Sequence, residues 1–168
     1  MTAKQKPSPR PAMQTDWARV AELVLRSRAL DALEETRLVP EKKIFYQFSA
    51  RGHDMAQVLL GLQLTHPKDA VCGYYRSRPL LLALGVPLED ALGSSMGRAG
   101  GYSDGRDIGV VFNYPNPHGA SALPMCGGVG AQYTPTAGYA QAIVYHRRVL
   151  NDRAYDGAIA VVLGGDAS

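Results

Sequence analysis

Three short segments of this chain carry residue types suited to chemistry. The first is AIAVVLGGDAS at 158–168, where an apolar run ends in Gly164, Gly165, Asp166, Ala167 and Ser168. It reads as a buried strand feeding a polar turn. In open α/β sheets, ligands sit beyond the carboxyl ends of strands. Asp166 can offer a hard carboxylate oxygen to a divalent cation there, or it can cap the helix that follows. The second is Tyr75–Arg76. A guanidinium matches a phosphate bidentately, with a tyrosine beside it to pack on the same ligand; alone, the same arginine would be a surface ion-pairing residue. The third is GGVGAQ at 127–132. Its small residues suit either a slot for a flat ring or a tightly packed helix start, and Gln132 could support a ligand or a cation.

The elements that must position these segments are mostly helical. Thr15 or Asp16 can cap a helix running through residues 17–39, with Val20, Leu23, Val24, Ala29, Leu30 and Leu33 at helical spacing. Pro40 ends it. A second helix follows GHDM. Its apolar residues, from Ala56 and Val58 to Leu64, lie nearly all round, which predicts burial on more than one side, and His66–Pro67 breaks it. AVCGYY begins extended and becomes a short helix after Pro79, and Pro87 opens another with Glu89 and Asp90 in its first turn. Periodicity is lost from Arg98 to Gly128, and loops of that length in compact domains are usually functional or mobile. Helical spacing returns after Val129, and DGAIAVVLGG is the one clear strand. A strand apolar on both faces needs parallel neighbours, which are expected mostly beyond residue 168. The expected fold class is therefore α/β, a helical front segment leading into a parallel sheet, truncated from a larger domain.

Composition limits the function classes. With 168 residues, 46% hydrophobic and 20% charged, the chain suits one globular domain over 15–168 behind a disordered, basic, Pro-rich tail at 1–14. The formal net charge is only +3, and several cations fall in the first ten residues. The body is near neutral, which argues against nucleic acid or an anionic membrane as partner. No apolar stretch is long enough to span a bilayer, and the N-terminal charges lack the apolar core of a signal peptide. A cytoplasmic protein is expected. Cys72 and Cys126 fit no zinc motif and read as buried reduced thiols.

In chain order, GHDMAQVLLGLQL, YYRSRPLLLALGVPLEDALGSSMGRAGG, GGVGAQYTPTAGYAQAI and GGDAS resemble the first part of the alpha chain of the thiamine-diphosphate-dependent 2-oxo acid dehydrogenases, over roughly residues 45–168. The resemblance implies the N-terminal part of a thiamine-diphosphate-binding fold, with thiamine diphosphate and Mg²⁺ as cofactors. It implies that Tyr75 and Arg76 meet the diphosphate and that Gly127 and Val129 touch the aminopyrimidine. Asp166 would hold Mg²⁺, while Gly165 lets the backbone approach and Ala167 begins a helix facing the phosphate. The implied activity is oxidative decarboxylation of a 2-oxo acid, with the acyl group passing to a lipoyl-bearing acyltransferase. The implied partner is a beta chain or beta-type domain, in a hetero-oligomer or fused dimer, which brings the activating glutamate. No catalytic residue in this chain is assigned.

Two departures from the family pattern bear on substrate. The family follows its Tyr-Arg pair with a small residue or Asp, a polar residue such as His, and Gly; here the chain has Ser77-Arg78-Pro79 and runs about two residues shorter, with Arg78 a stand-in. A loop histidine of the family is replaced within Gly109-Val110-Val111-Phe112, and His118 is not an obvious substitute. Both departures lean toward branched-chain 2-oxo acids over pyruvate, with Phe112 and Met125 as candidates to line the pocket or anchor the loop. An acetoin-type thiamine enzyme and a non-catalytic interaction domain are the alternative readings. A transketolase-like enzyme lacks the Tyr-Arg block in this form.

Overall fold

The computed structural model of the chain describes residues 14–107 and 112–165. The tail expected at 1–14 lies outside the described residues apart from Gln14. Helix α1 (Trp17–Leu33) starts where the sequence predicts, because the Asp16 carboxylate accepts a hydrogen bond from the Arg19 N–H at 3.0 Å. Val20, Leu23, Val24 and Leu30 form its buried stripe. The expected continuation to residue 39 is present, but Glu34–Leu38 widens into a π-helical turn.

Helix α2 (Asp54–Gln63) buries Val58 and Gly61 and leaves Leu59, Leu60 and Leu62 half-buried. The expected burial on more than one side is met: α2 packs on both α1 and α3, with Leu59, Leu60 and Leu62 half-buried against the core. At the crossing with α3, a Cβ on Gly61 would lie 2.6 Å from Ala83 Cβ and 3.2 Å from the Leu80 carbonyl. Gly61→Ala should therefore push the two helices apart and cost about 1–3 kcal/mol, as overpacking does. Thermal or urea denaturation of the variant checks this.

Strand β1 (Ala70–Cys72) is wholly buried. Helices α3 (Arg78–Leu84) and α4 (Leu88–Ser95) follow; Gly85, at φ 102°, ends α3 in the left-handed conformation that glycine adopts freely. Pro87 flanks α4 as its cap rather than as its first helical residue. Strand β2 (Ser121–Ala122), helix α5 (Tyr133–Arg148) and strand β3 (Ala160–Val162) complete the order.

The three strands form one parallel sheet in the order β2-β1-β3, with Ala70 opposite both Ser121 and Ala160. β3 was expected to find its partners mostly beyond residue 168; in the order observed it lies at one edge of the sheet, with a single strand neighbour among the described residues. Within this chain β1 is its neighbour, and β2 sits inside the stretch that looked structureless. At the amino ends of the strands Asp69, fully buried, ties all three together. Its carboxylate accepts from the Ile159 and His66 N–H groups at 2.9 and 3.0 Å, and its carbonyl accepts from Ser121 N–H at 3.1 Å. α5 packs on β1 and β3 through Thr136 and Ile143. The main core lies between the sheet and α1–α3, built on Leu23, Val58, Val71, Leu80, Leu81 and Phe112. Among the described residues, no helix is long and apolar enough to cross a membrane.

Candidate cofactor site

All three chemically suggestive segments leave the sheet at the same edge, because parallel strands share their carboxyl ends. β1 runs into Gly73-Tyr74-Tyr75-Arg76, β2 into the segment reaching Gly127 and Val129, and β3 into Leu163-Gly164-Gly165. The ladder continues into these exits: Leu123 N–H donates to the Val71 carbonyl at 2.8 Å, and Leu163 N–H to the Cys72 carbonyl at 3.0 Å. Gln132, only 4% exposed, joins two of them. Its side-chain N–H donates to the Leu163 carbonyl at 2.7 Å, and its side-chain oxygen accepts from Gly130 N–H at 2.7 Å. Val129 lies against Gly165, since a Cβ there would sit 3.5 Å from Val129 Cγ1.

The Tyr75–Arg76 pair is held by a tight turn and by the loop between α1 and α2. Tyr74 N–H donates to Ser77 Oγ at 3.0 Å, and Ser77 N–H to the Tyr74 carbonyl at 2.8 Å. The turn needs glycine at its start, because a Cβ on Gly73 would meet Ser77 Oγ at 2.5 Å and Met125 Cε at 3.2 Å. The half-buried Tyr75 ring packs on Phe48 at 4.5 Å and on Tyr74 at 5.3 Å between centroids. The Arg76 guanidinium lies 5.4 Å from the Tyr75 ring centre and donates to the Ser49 carbonyl at 2.8 Å.

The surface ion-pair reading of Arg76 fails on this geometry, because among the described residues no carboxylate pairs with it. A guanidinium carries five N–H donors, and a half-buried one without a counter-ion suits an anionic ligand. Gly127 has nothing within 4 Å of where its Cβ would be, and Gly128 has only Cys126 Sγ at 3.8 Å, so a flat ring can approach that segment closely. Gln47, in the loop that holds Tyr75 and Arg76, has a buried side-chain N–H group with no partner among the described residues. Cationic, glycine-walled and set at the carboxyl edge, these residues fit a phosphate-bearing cofactor with a planar ring. Residues 22–168 match the family described as dehydrogenase E1 component.

The chain belongs to the dehydrogenase E1 component family. It is the α/β, N-terminal part of a thiamine-diphosphate-binding fold, and the family comprises thiamine-diphosphate-dependent 2-oxo acid dehydrogenases. Asp166 and Ala167 lie outside the described residues, as do Gly109, Val110 and Val111 of the loop. Among the described residues no group of three or more His, Cys, Asp or Glu side chains is arranged to hold a metal.

Several expectations for this dehydrogenase chain need correction. Arg78 does not stand in for a polar residue at the site. It is sunk in the core with its side chain 3% exposed, donating to both Glu34 oxygens at 2.6 and 2.7 Å and to Asp31 Oδ1 at 3.1 Å. Sequence reasoning missed this triad, although Asp31 and Glu34 adjoin the apolar stripe of α1 three residues apart, where a carboxylate pair signals a buried cation. Phe112, 2% exposed, belongs to the core and anchors its loop rather than lining a pocket. Met125 is half-buried between the exits of β1 and β2. His118 precedes β2, at the opposite end of the strand from the site, and its N–H donates to Asn116 Oδ1.

The two cysteines differ, against the expectation that both are buried. Cys72 is buried and burial raises its thiol pKa, with a hydrogen bond to Thr136 opposing; Cys126, beside Gly127, is exposed. The thiolate is the reactive form. Brief alkylation of the native protein at neutral pH should therefore modify Cys126 and spare Cys72, as peptide mass mapping would report.

Proposed function

We propose that this chain acts as the alpha-type component of a cytoplasmic 2-oxo acid dehydrogenase complex. It would catalyse oxidative decarboxylation with a beta-type partner and transfer the acyl group to a lipoyl-bearing acyltransferase, with branched-chain 2-oxo acids favoured over pyruvate. The observation that carries the reading is the convergence of Tyr75–Arg76, Gly127–Val129 and Gly165 on one carboxyl edge of a parallel sheet in a member of this family.

Within this reading Arg76 would bind the diphosphate as a fork of donors, and Tyr75 would pack beside it, its hydroxyl a further donor. Gly127 and Val129 form the wall against the aminopyrimidine, with Gln132 fixing their distance from the exit of β3. Asp166 would bind Mg²⁺ through a hard anionic oxygen, Gly165 would let the backbone approach, and Ala167 would begin a helix facing the phosphate. Thiamine diphosphate, when bound, supplies an electron sink for the carbanion left by decarboxylation. Arg76 and Asp166 hold that group in place, and the partner contributes the activating carboxylate.

Two measurements on the full-length chain with its partner test the reading. Arg76→Ala should weaken thiamine diphosphate binding about 10- to 100-fold, the worth of hydrogen bonds to a charged group. An unchanged affinity would remove Arg76 from the site. For substrate, a pocket distinguishes a few methyl groups by about 1–3 kcal/mol, so kcat/KM should favour a branched-chain 2-oxo acid over pyruvate by about tenfold or more. A preference for pyruvate would overturn the substrate assignment.

A further inference from the structure

The loop between α1 and α2 grips both members of the Tyr75–Arg76 pair: the Phe48 ring against Tyr75 and the Ser49 carbonyl on Arg76. That loop is itself gripped from below. Asp31 Oδ2 accepts from Ser49 Oγ at 2.8 Å and from Ala50 N–H at 2.9 Å, while its other oxygen accepts from Arg78 at 3.1 Å. Arg78 is in turn fixed by both oxygens of Glu34. Asp31 is 1% exposed and Glu34 0%. From the core outward the chain of contacts runs Glu34, Arg78, Asp31, Ser49, Arg76, and every link is a hydrogen bond.

We propose that Asp31 is a positioning residue for Arg76, holding the Ser49 carbonyl where it orients the guanidinium toward the diphosphate. The inference rests on the proposed phosphate role of Arg76. Two features favour it over a purely structural role. The Asp31 carboxylate spends one oxygen entirely on the Ser49 hydroxyl and the Ala50 N–H, the loop residues beside the carbonyl that Arg76 holds. Arg78, held by the other oxygen, begins α3 only two residues after Arg76. A single buried group thus fixes both the carbonyl that Arg76 donates to and the helix that its own backbone enters, and fixed donors lose less freedom on binding an anion.

Replacing Asp31 with Asn keeps the volume but puts an N–H₂ group among the donors of Arg78, Ser49 and Ala50. The test is a double-mutant cycle on the full-length chain with its partner, reading thiamine diphosphate affinity in the presence of Mg²⁺ by calorimetry, with the melting temperature of each cofactor-free variant alongside. Asp31→Asn should weaken binding about tenfold in the natural background and have no further effect beside Arg76→Ala. Ser49→Ala, which removes only the hydroxyl link, should act in the same direction by about threefold and likewise vanish beside Arg76→Ala; it carries the test alone should Asp31→Asn fail to fold. Equal weakening in both backgrounds, or unchanged affinity in a folded Asp31→Asn or Ser49→Ala protein, would overturn the positioning role. An Arg76→Ala protein that binds as well as the natural one would instead overturn the phosphate role of Arg76, and the inference with it.

Discussion

Arg78→Met should destabilise the protein by about 3–5 kcal/mol, the cost of leaving a buried charge without its partner. Methionine fills much of the same volume, so the loss is electrostatic rather than a cavity effect. Asp31 and Glu34 would remain at 1% and 0% exposure with no cation between them. Arg26→Met removes an arginine of comparable length from an exposed pair with Glu22 and should hardly move the midpoint. A triple replacement of Asp31, Glu34 and Arg78 by apolar residues of similar volume should recover much of the loss, because no charge is then stranded. Urea denaturation of the three variants checks the order. An Arg78→Met midpoint equal to that of Arg26→Met would show that the triad contributes little.

The second large effect is expected at Asp166. If its carboxylate holds Mg²⁺ against the diphosphate, Asp166→Asn in the full-length protein keeps the volume and removes the anionic ligand. Cofactor-dependent decarboxylation should then fall by orders of magnitude while the melting temperature of the cofactor-free protein stays put. A helix cap predicts otherwise, since Asn caps about as well as Asp. Near-normal activity of Asp166→Asn at saturating Mg²⁺ and thiamine diphosphate would remove the metal role.

The helical front of the fold was legible because its signals are local. Asp16 caps α1, and Val20 to Leu30 mark its buried face. β3 was legible as an apolar run. β2 was not, because two residues, Ser121 and Ala122, are too few to show an alternation, and only pairing with Val71 defines them as a strand. The fate of Arg78 was hidden for a related reason. Its partners lie 44 and 47 residues away, so the carboxylate pair on α1 signals a buried cation but not which arginine supplies it. Cys126 misled because small and apolar neighbours suggest burial, whereas Gly127 and Gly128 give it nothing to be buried under. The candidate site segments were singled out through their resemblance to the family. Taken singly, each kept a plain structural reading: a cap, a surface ion pair, a packed helix start.

Residues 73–76, 127–132 and 163–166 are proposed to form one cofactor site. Hydrogen exchange of the full-length chain with its partner, with and without thiamine diphosphate and Mg²⁺, tests it most directly, since backbone segments that close on a ligand exchange more slowly. Added protection is expected in all three segments together, with the amino ends of the strands around Asp69 unchanged. Added protection confined to other parts of the chain, or present in one of the three segments and absent from the other two, would contradict it.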